Sequence, residues 1–106
     1  MQTVETINKA IKENTAVMVY FSAPSCNVCH ALKPKLLEAV EQNFNEFKVV
    51  SVDVSVEQEI SANFSVFAIP TVLVFLDGKE FLRKSRHMSV DEVINEIKRP
   101  YEVMIS

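Results

Sequence analysis

Residues 21–36, FSAPSCNVCHALKPKL, hold the end of an apolar run, both cysteines of the chain and a proline set among leucines. Only Asn27 and Val28 separate Cys26 from Cys29. Upstream, the run AVMVYF at 16–21 is continuous, rich in β-formers and bounded by polar and proline residues, which predicts a strand buried on both faces and hence a parallel sheet. Downstream, Leu32, Leu36, Leu37, Val40 and Phe44 recur at the spacing of one helical face, in a long helix whose first turn begins near Cys26. Pro34 removes one backbone donor and crowds the preceding turn, so a kink is expected there and not a full stop. The cysteines are therefore placed where a buried strand hands over to a helix.

The rest of the chain extends this pattern. Val4, Ile7, Ala10 and Ile11 predict an amphipathic helix over 3–14. FKVVSVDV at 47–54 reads as a second buried strand, followed by a shorter helix near 57–64. TVLVFL at 71–76 meets KEFLRKS through Asp77-Gly78, a dipeptide that tolerates the positive φ angles of a tight hairpin, so antiparallel pairing is expected at that edge. Ser89 and Glu92 form a capping box ahead of a helix bearing Val90, Val93, Ile94 and Ile97, with Lys98 and Arg99 suiting its C-terminal end. Phe44, Phe47, Phe64, Phe67, Phe75 and Met18 are core candidates.

At 106 residues and 48% hydrophobic, the chain suits one compact domain over residues 1–106 that can bury a core unaided by staples. A formal charge of −3 supplies no basic footprint for nucleic acid or an anionic membrane, so neither partner is expected. The opening residues lack the charged start and apolar run of a secretion signal, and no apolar run approaches the roughly 20 residues that cross a bilayer. These features read as a soluble, cytoplasmic protein. In a reducing compartment a close cysteine pair points to catalysis or metal binding more than to a structural disulfide. A four-residue loop would also gain only about 1.9 kcal/mol from closure, against about 4.7 for a 100-residue loop.

A buried strand, CxxC opening a helix with an internal proline, then Ile-Pro-Thr before a strand and an Asp-Gly hairpin: in this order Cys26, Cys29, Pro34, Pro70 and Gly78 resemble the landmarks of the thioredoxin family. The likeness spans nearly the whole chain. It implies an α/β thioredoxin fold, a central mixed sheet with helices on both faces, with the first strand shortened or absent before Thr3. It further implies a thiol-disulfide oxidoreductase acting on protein disulfides, with no bound cofactor and with electrons from a flavoprotein reductase or a low-molecular-weight thiol. The proline after Ile69 is cis in such proteins and faces the cysteines, leaving the segment Ile69, Pro70, Thr71 to pair with an extended substrate by strand addition.

The chemistry of the pair fits that resemblance. A helix N-terminus offers unpaired N–H groups and about half a positive charge, which favour a thiolate at Cys26. After Cys26 attacks a substrate disulfide, Cys29, three residues on, is in reach to resolve the mixed disulfide. Departures from the family pattern are equally visible. Ser25 stands where a tryptophan is usual, Tyr20 where a buried aspartate helps move the second cysteine's proton, and Ser85-Arg86-His87 where a glycine is common. Arg86 and His87, with His30, would add positive charge that favours the thiolate and selects acidic partners. Two other readings stand beside the enzyme: a partner-binding or redox-sensing domain on the same fold, and a zinc module in which His30 and His87 would have to complete the ligands.

Overall fold

Six consecutive apolar residues, 16–21, can bury both faces only in the middle of a sheet, and that is where the chain puts them. The computed structural model describes residues 2–105. Its elements run α1 (Val4–Glu13), β1 (Ala16–Ser22), α2 (Asn27–Asn43), β2 (Lys48–Asp53), α3 (Gln58–Asn63), β3 (Thr71–Leu76), β4 (Lys79–Ser85) and α4 (Val90–Ile105). The strands lie in the order β2-β1-β3-β4. Val19 pairs in parallel with Val50 on one side and antiparallel with Leu73 on the other, so the sheet is mixed, as expected.

Because side chains alternate along a strand, β1 feeds two cores. Met18 and Tyr20 pack with Leu36 and Val40 of α2 and with Val93 and Ile97 of α4. Val17, Val19 and Phe21 pack with Ile7 and Ile11 of α1 and with Ile60 of α3. Local chemistry sets the boundaries. Thr3 caps α1, its Oγ1 accepting from the Thr6 N–H at 3.1 Å while the Thr6 hydroxyl oxygen accepts from the Thr3 N–H at 2.8 Å. Asp77 (φ 53°) and Gly78 (φ 80°) both take the left-handed angles that a two-residue hairpin requires. Helix α2 continues past Pro34 to Asn43.

Four expectations are corrected. Strand β2 is not buried on both faces: it is one of the two edge strands, with Lys48 and Ser51 exposed and Val50 and Val52 buried. As expected, no strand precedes α1 among the described residues, and so no strand pairs along the outer side of β2. Lys98 and Arg99 do not end α4, which runs through Pro100 to Ile105 because Tyr101 is anchored. Its ring stacks on Phe47 and meets Phe44 edge-on at 4.8 Å, and its hydroxyl oxygen accepts from the Glu46 N–H at 2.9 Å. The capping box at α4 shows one arm, Glu92 N–H to Ser89 Oγ at 3.1 Å; the Glu92 carboxylate turns instead to Lys84, 3.4 Å away. Finally, Phe67 is no core residue but 85% exposed.

Candidate functional site

Cys26 is the N-cap of α2, with extended backbone angles, and its carbonyl takes the first intrahelical bond from the His30 N–H at 3.2 Å. Its own N–H donates to Ala23 O at 3.0 Å, closing the turn that brings the chain out of β1. The Cys29 N–H donates to Cys26 Sγ at 3.1 Å, as an orphan amide of a first helical turn does toward a capping side chain. Cys26 and Cys29 form a disulfide, with their Cα atoms 5.3 Å apart. The two sulfurs are not equivalent. Cys29 is buried, 1% exposed, whereas Cys26 is half-buried at the end of the helix.

Tyr20 reaches this turn from below. Its hydroxyl, inside the core, donates to Cys29 O at 2.9 Å, and Lys33 Nζ lies 6.0 Å from the ring centroid. Burial pushes the Tyr20 hydroxyl up to about 12, so it holds its proton near neutrality and acts as a donor, not as a base. His30 is exposed, yet its ring is engaged: Nε2 lies 2.7 Å from Pro24 O, a carbonyl that can only accept, so Nε2 carries the hydrogen. This bond pins the 23–26 turn to the helix it precedes. Among the described residues no three His, Cys, Asp or Glu side chains converge as a metal's ligands would.

The second loop is the one before β3. Its Ile69-Pro70 peptide bond is cis, as the resemblance implies. Pro70 is buried, and its carbonyl accepts from the Arg86 N–H at 2.7 Å, which ties the end of β4 to this loop. Thr71 is also buried. Its hydroxyl donates to Ala68 O at 2.6 Å and sits 2.9 Å from Ser85 Oγ, so the side chain holds the loop's shape and faces inward. Ile69 is half-buried and packs, like Cys26, against the core of α2 and α4. Ser25 is exposed in the turn before Cys26; Arg86 and His87 are exposed after β4, with the His87 N–H donating to Ser85 O at 2.7 Å.

Comparison with known proteins decides the family. The sequence profile described as Thioredoxin matches residues 1–99. The chain belongs to the thioredoxin family. It is 33% identical over 103 residues to the thioredoxin-like protein YdfQ of Bacillus subtilis, covering 97% of this chain and 91% of that one. It is 30% identical over 100 residues to the thioredoxin of the same organism, covering 92% and 95%. Among solved structures, thioredoxin 1 of Thermosipho africanus superposes with a TM-score of 0.72 at 30% identity, over 85% of this chain and 99% of that one. With family membership and a joined CxxC pair at a helix N-terminus, the protein is a thiol-disulfide oxidoreductase.

Three features of the site escaped the sequence. The Tyr20 hydroxyl bond could not be read from a residue that looks like one more member of an apolar run. The His30–Pro24 bond joins residues six apart across a turn, a distance at which spacing rules are silent. Phe67 stands free although a phenylalanine between valine and alanine reads as core; Ser65, at φ 57°, turns the chain so that Val66 goes in and Phe67 goes out. A cavity of about 270 Å³ opens beside it, lined by Val54, Ala62, Val66, Phe67 and Ile69 among others.

Proposed function

We propose that this thioredoxin-family protein reduces or exchanges disulfides of other proteins, with Cys26 as the attacking thiolate and Cys29 as the resolving thiol. The observation that carries this assignment is the difference in exposure: Cys26 is accessible at the helix end, and Cys29 lies one turn deeper at 1% exposure. In the reduced form, the Cys29 N–H that now donates to Cys26 Sγ would stabilise a thiolate there, together with the helix dipole. Attack on a substrate disulfide forms the Cys26 mixed disulfide and releases one substrate thiolate. Cys29 then attacks Cys26 Sγ, forming the intramolecular disulfide and releasing the second substrate thiolate. Two electrons have passed from the dithiol to the substrate. They are restored by a flavoprotein reductase or a low-molecular-weight thiol, in the cytoplasm.

The segment Ile69, Pro70, Thr71 is the substrate platform in this reading, with Ser25 at its cysteine-side rim. Thr71 serves it by position, its hydroxyl being committed to Ala68 and Ser85. The cavity beside Phe67 and Ile69 offers room for an apolar substrate side chain. The deciding experiment follows reduction of a generic protein disulfide with a thiol donor. Cys26→Ser should lose turnover, and Cys29→Ser should accumulate a mixed disulfide with the substrate. Equal rates for wild type and Cys26→Ser would end the proposal.

A second reading, a redox-responsive partner-binding domain, draws on one observation. The residue hydrogen-bonded to Cys29 is a tyrosine that holds its proton, and among the described residues no carboxylate is buried. Resolution would then be slow and the mixed disulfide long-lived. Slow turnover with persistent capture of a single protein would favour it.

A further inference from the structure

We propose that Arg86 selects substrates that carry a carboxylate beside the reacting cysteine, an inference that rests on the dithiol-exchange reading above and names its substrate class. Arg86 sits in the left-handed region at φ 60°, a conformation that is strained for a bulky side chain. Strain of that kind persists where the surroundings over-determine it, and here they do. The Arg86 N–H is held by Pro70 O at 2.7 Å and the next amide, of His87, by Ser85 O at 2.7 Å. The Arg86 backbone is thereby fixed next to the Pro70 backbone that would line the substrate, with its side chain exposed.

Its charge is uncompensated. The neighbouring cations of β4 are paired: Arg83 with Glu80 at 2.9 Å, and Lys84 with Glu96 at 2.8 Å and Glu92 at 3.4 Å. Arg86 has no such partner among the described residues, and it is exposed. Residues 23–30, 67–70 and 85–88, whose Cys26, Ile69 and Met88 pack against the same core cluster as Cys29, contain no aspartate or glutamate, in a chain with 14 of them and a net charge of −3. The ionisable side chains they do contain, the cysteines aside, are Arg86, His30 and His87, and His30 is turned to Pro24. Asp53 and Glu57 line a pocket with Pro24 and His30 but are engaged by Ser55, Gln2 and the Asp53 amide, which leaves Arg86 as an unpaired cation that attracts anionic segments and can grip one through a two-pronged guanidinium contact.

The test uses the whole protein and three fluorogenic disulfide peptides, identical except for Glu, Gln or Lys next to the cysteine. Wild type should prefer the Glu peptide over the Lys peptide by about fivefold in kcat/KM at low ionic strength, the scale of one exposed charge pair, and less as salt is added. Arg86→Gln, whose folding is verified by far-ultraviolet circular dichroism, should bring the ratio near unity, and Arg86→Lys should restore most of it. Equal rates for all peptides in wild type, or an unaltered ratio in Arg86→Gln, would overturn the assignment. Binding of the same peptides with serine for cysteine, by fluorescence anisotropy, reads the ratio independently of chemistry. Absent turnover with a preserved Glu preference in binding would count against dithiol exchange and for Arg86.

Discussion

The Tyr20 hydroxyl donates to the main-chain carbonyl of Cys29 at 2.9 Å, so the central strand holds the helical turn that carries the disulfide. Tyr20→Phe removes this bond without leaving a buried donor, and should cost about 0.5–1.5 kcal/mol in urea unfolding. The pH dependence tests the cause. Tyr20 ionises near 10 when unfolded and about 12 when folded, so between these values the unfolded chain has lost a proton that the folded chain keeps. Its stabilising contribution is complete below about pH 10 and is lost as pH rises toward 12. The stability gap between wild type and Tyr20→Phe should therefore shrink across that window; a gap constant to pH 11.5 would show that burial does not govern this tyrosine.

Thr71 presents a positioning effect that can be separated from folding. Its hydroxyl ties Ala68 O and Ser85 together behind Pro70. Thr71→Val keeps the shape and removes the tie, at a cost of about 1–2 kcal/mol for the unsatisfied partners. The platform would loosen, so kcat/KM for a protein disulfide should fall several-fold while the melting temperature drops by roughly 5–10 °C and the chain stays folded at the assay temperature. An unchanged rate would mean that the Arg86–Pro70 bond suffices to hold the loop.

What could be read in advance followed from patterns within single segments. The run at 16–21, the CxxC at a helix start, the Asp-Gly hairpin and the order of landmarks placed the sheet and the cysteines. The misreadings share a different cause, since each depends on which segment lies next to which. In Lys48–Asp53 the valines 49, 50 and 52 suggested full burial although Lys48, Ser51 and Asp53 are polar, and only the absence of a neighbour makes it an edge. Arg99 followed by Pro100 looks like a helix end, but Phe44 and Phe47, more than 50 residues earlier, hold Tyr101 in place and the helix with it. In the site, Cys26 and Cys29 were legible because their geometry is local, whereas the contacts of Arg86 and Tyr20 cross between elements.

The anchoring of α4 yields its own measurement. Tyr101 is 2% exposed and contacts two phenylalanines and the Glu46 amide. Tyr101→Ala should cost about 3–5 kcal/mol, as deletion of a buried aromatic does. Tyr101→Phe should cost only about 1–2 kcal/mol, for the amide left without its acceptor. Comparable losses from the two variants would place the anchor in the hydrogen bond and not in ring packing.

The outer side of β2 carries no strand among the described residues. An unpaired strand edge invites pairing with another chain, and folded proteins block it in specific ways. Here two side chains supply the missing partners: Gln2 Nε2 donates to Ser51 O at 2.8 Å, and Glu57 Oε1 accepts from the Asp53 N–H at 3.1 Å. Gln2 and Glu57 also meet each other, at 3.2 Å, so the two caps brace one another across the strand. Neither is part of the disulfide site. Replacing both with alanine frees one acceptor and one donor on the same edge, two residues apart, in the alternation that a fifth strand would use. The double variant should therefore self-associate in a concentration-dependent way by sedimentation velocity, with wild type unchanged over the same range and with the Cys26–Cys29 reaction retained. A double variant that sediments as wild type does would show that Lys48 and the twist of the sheet protect the edge without them.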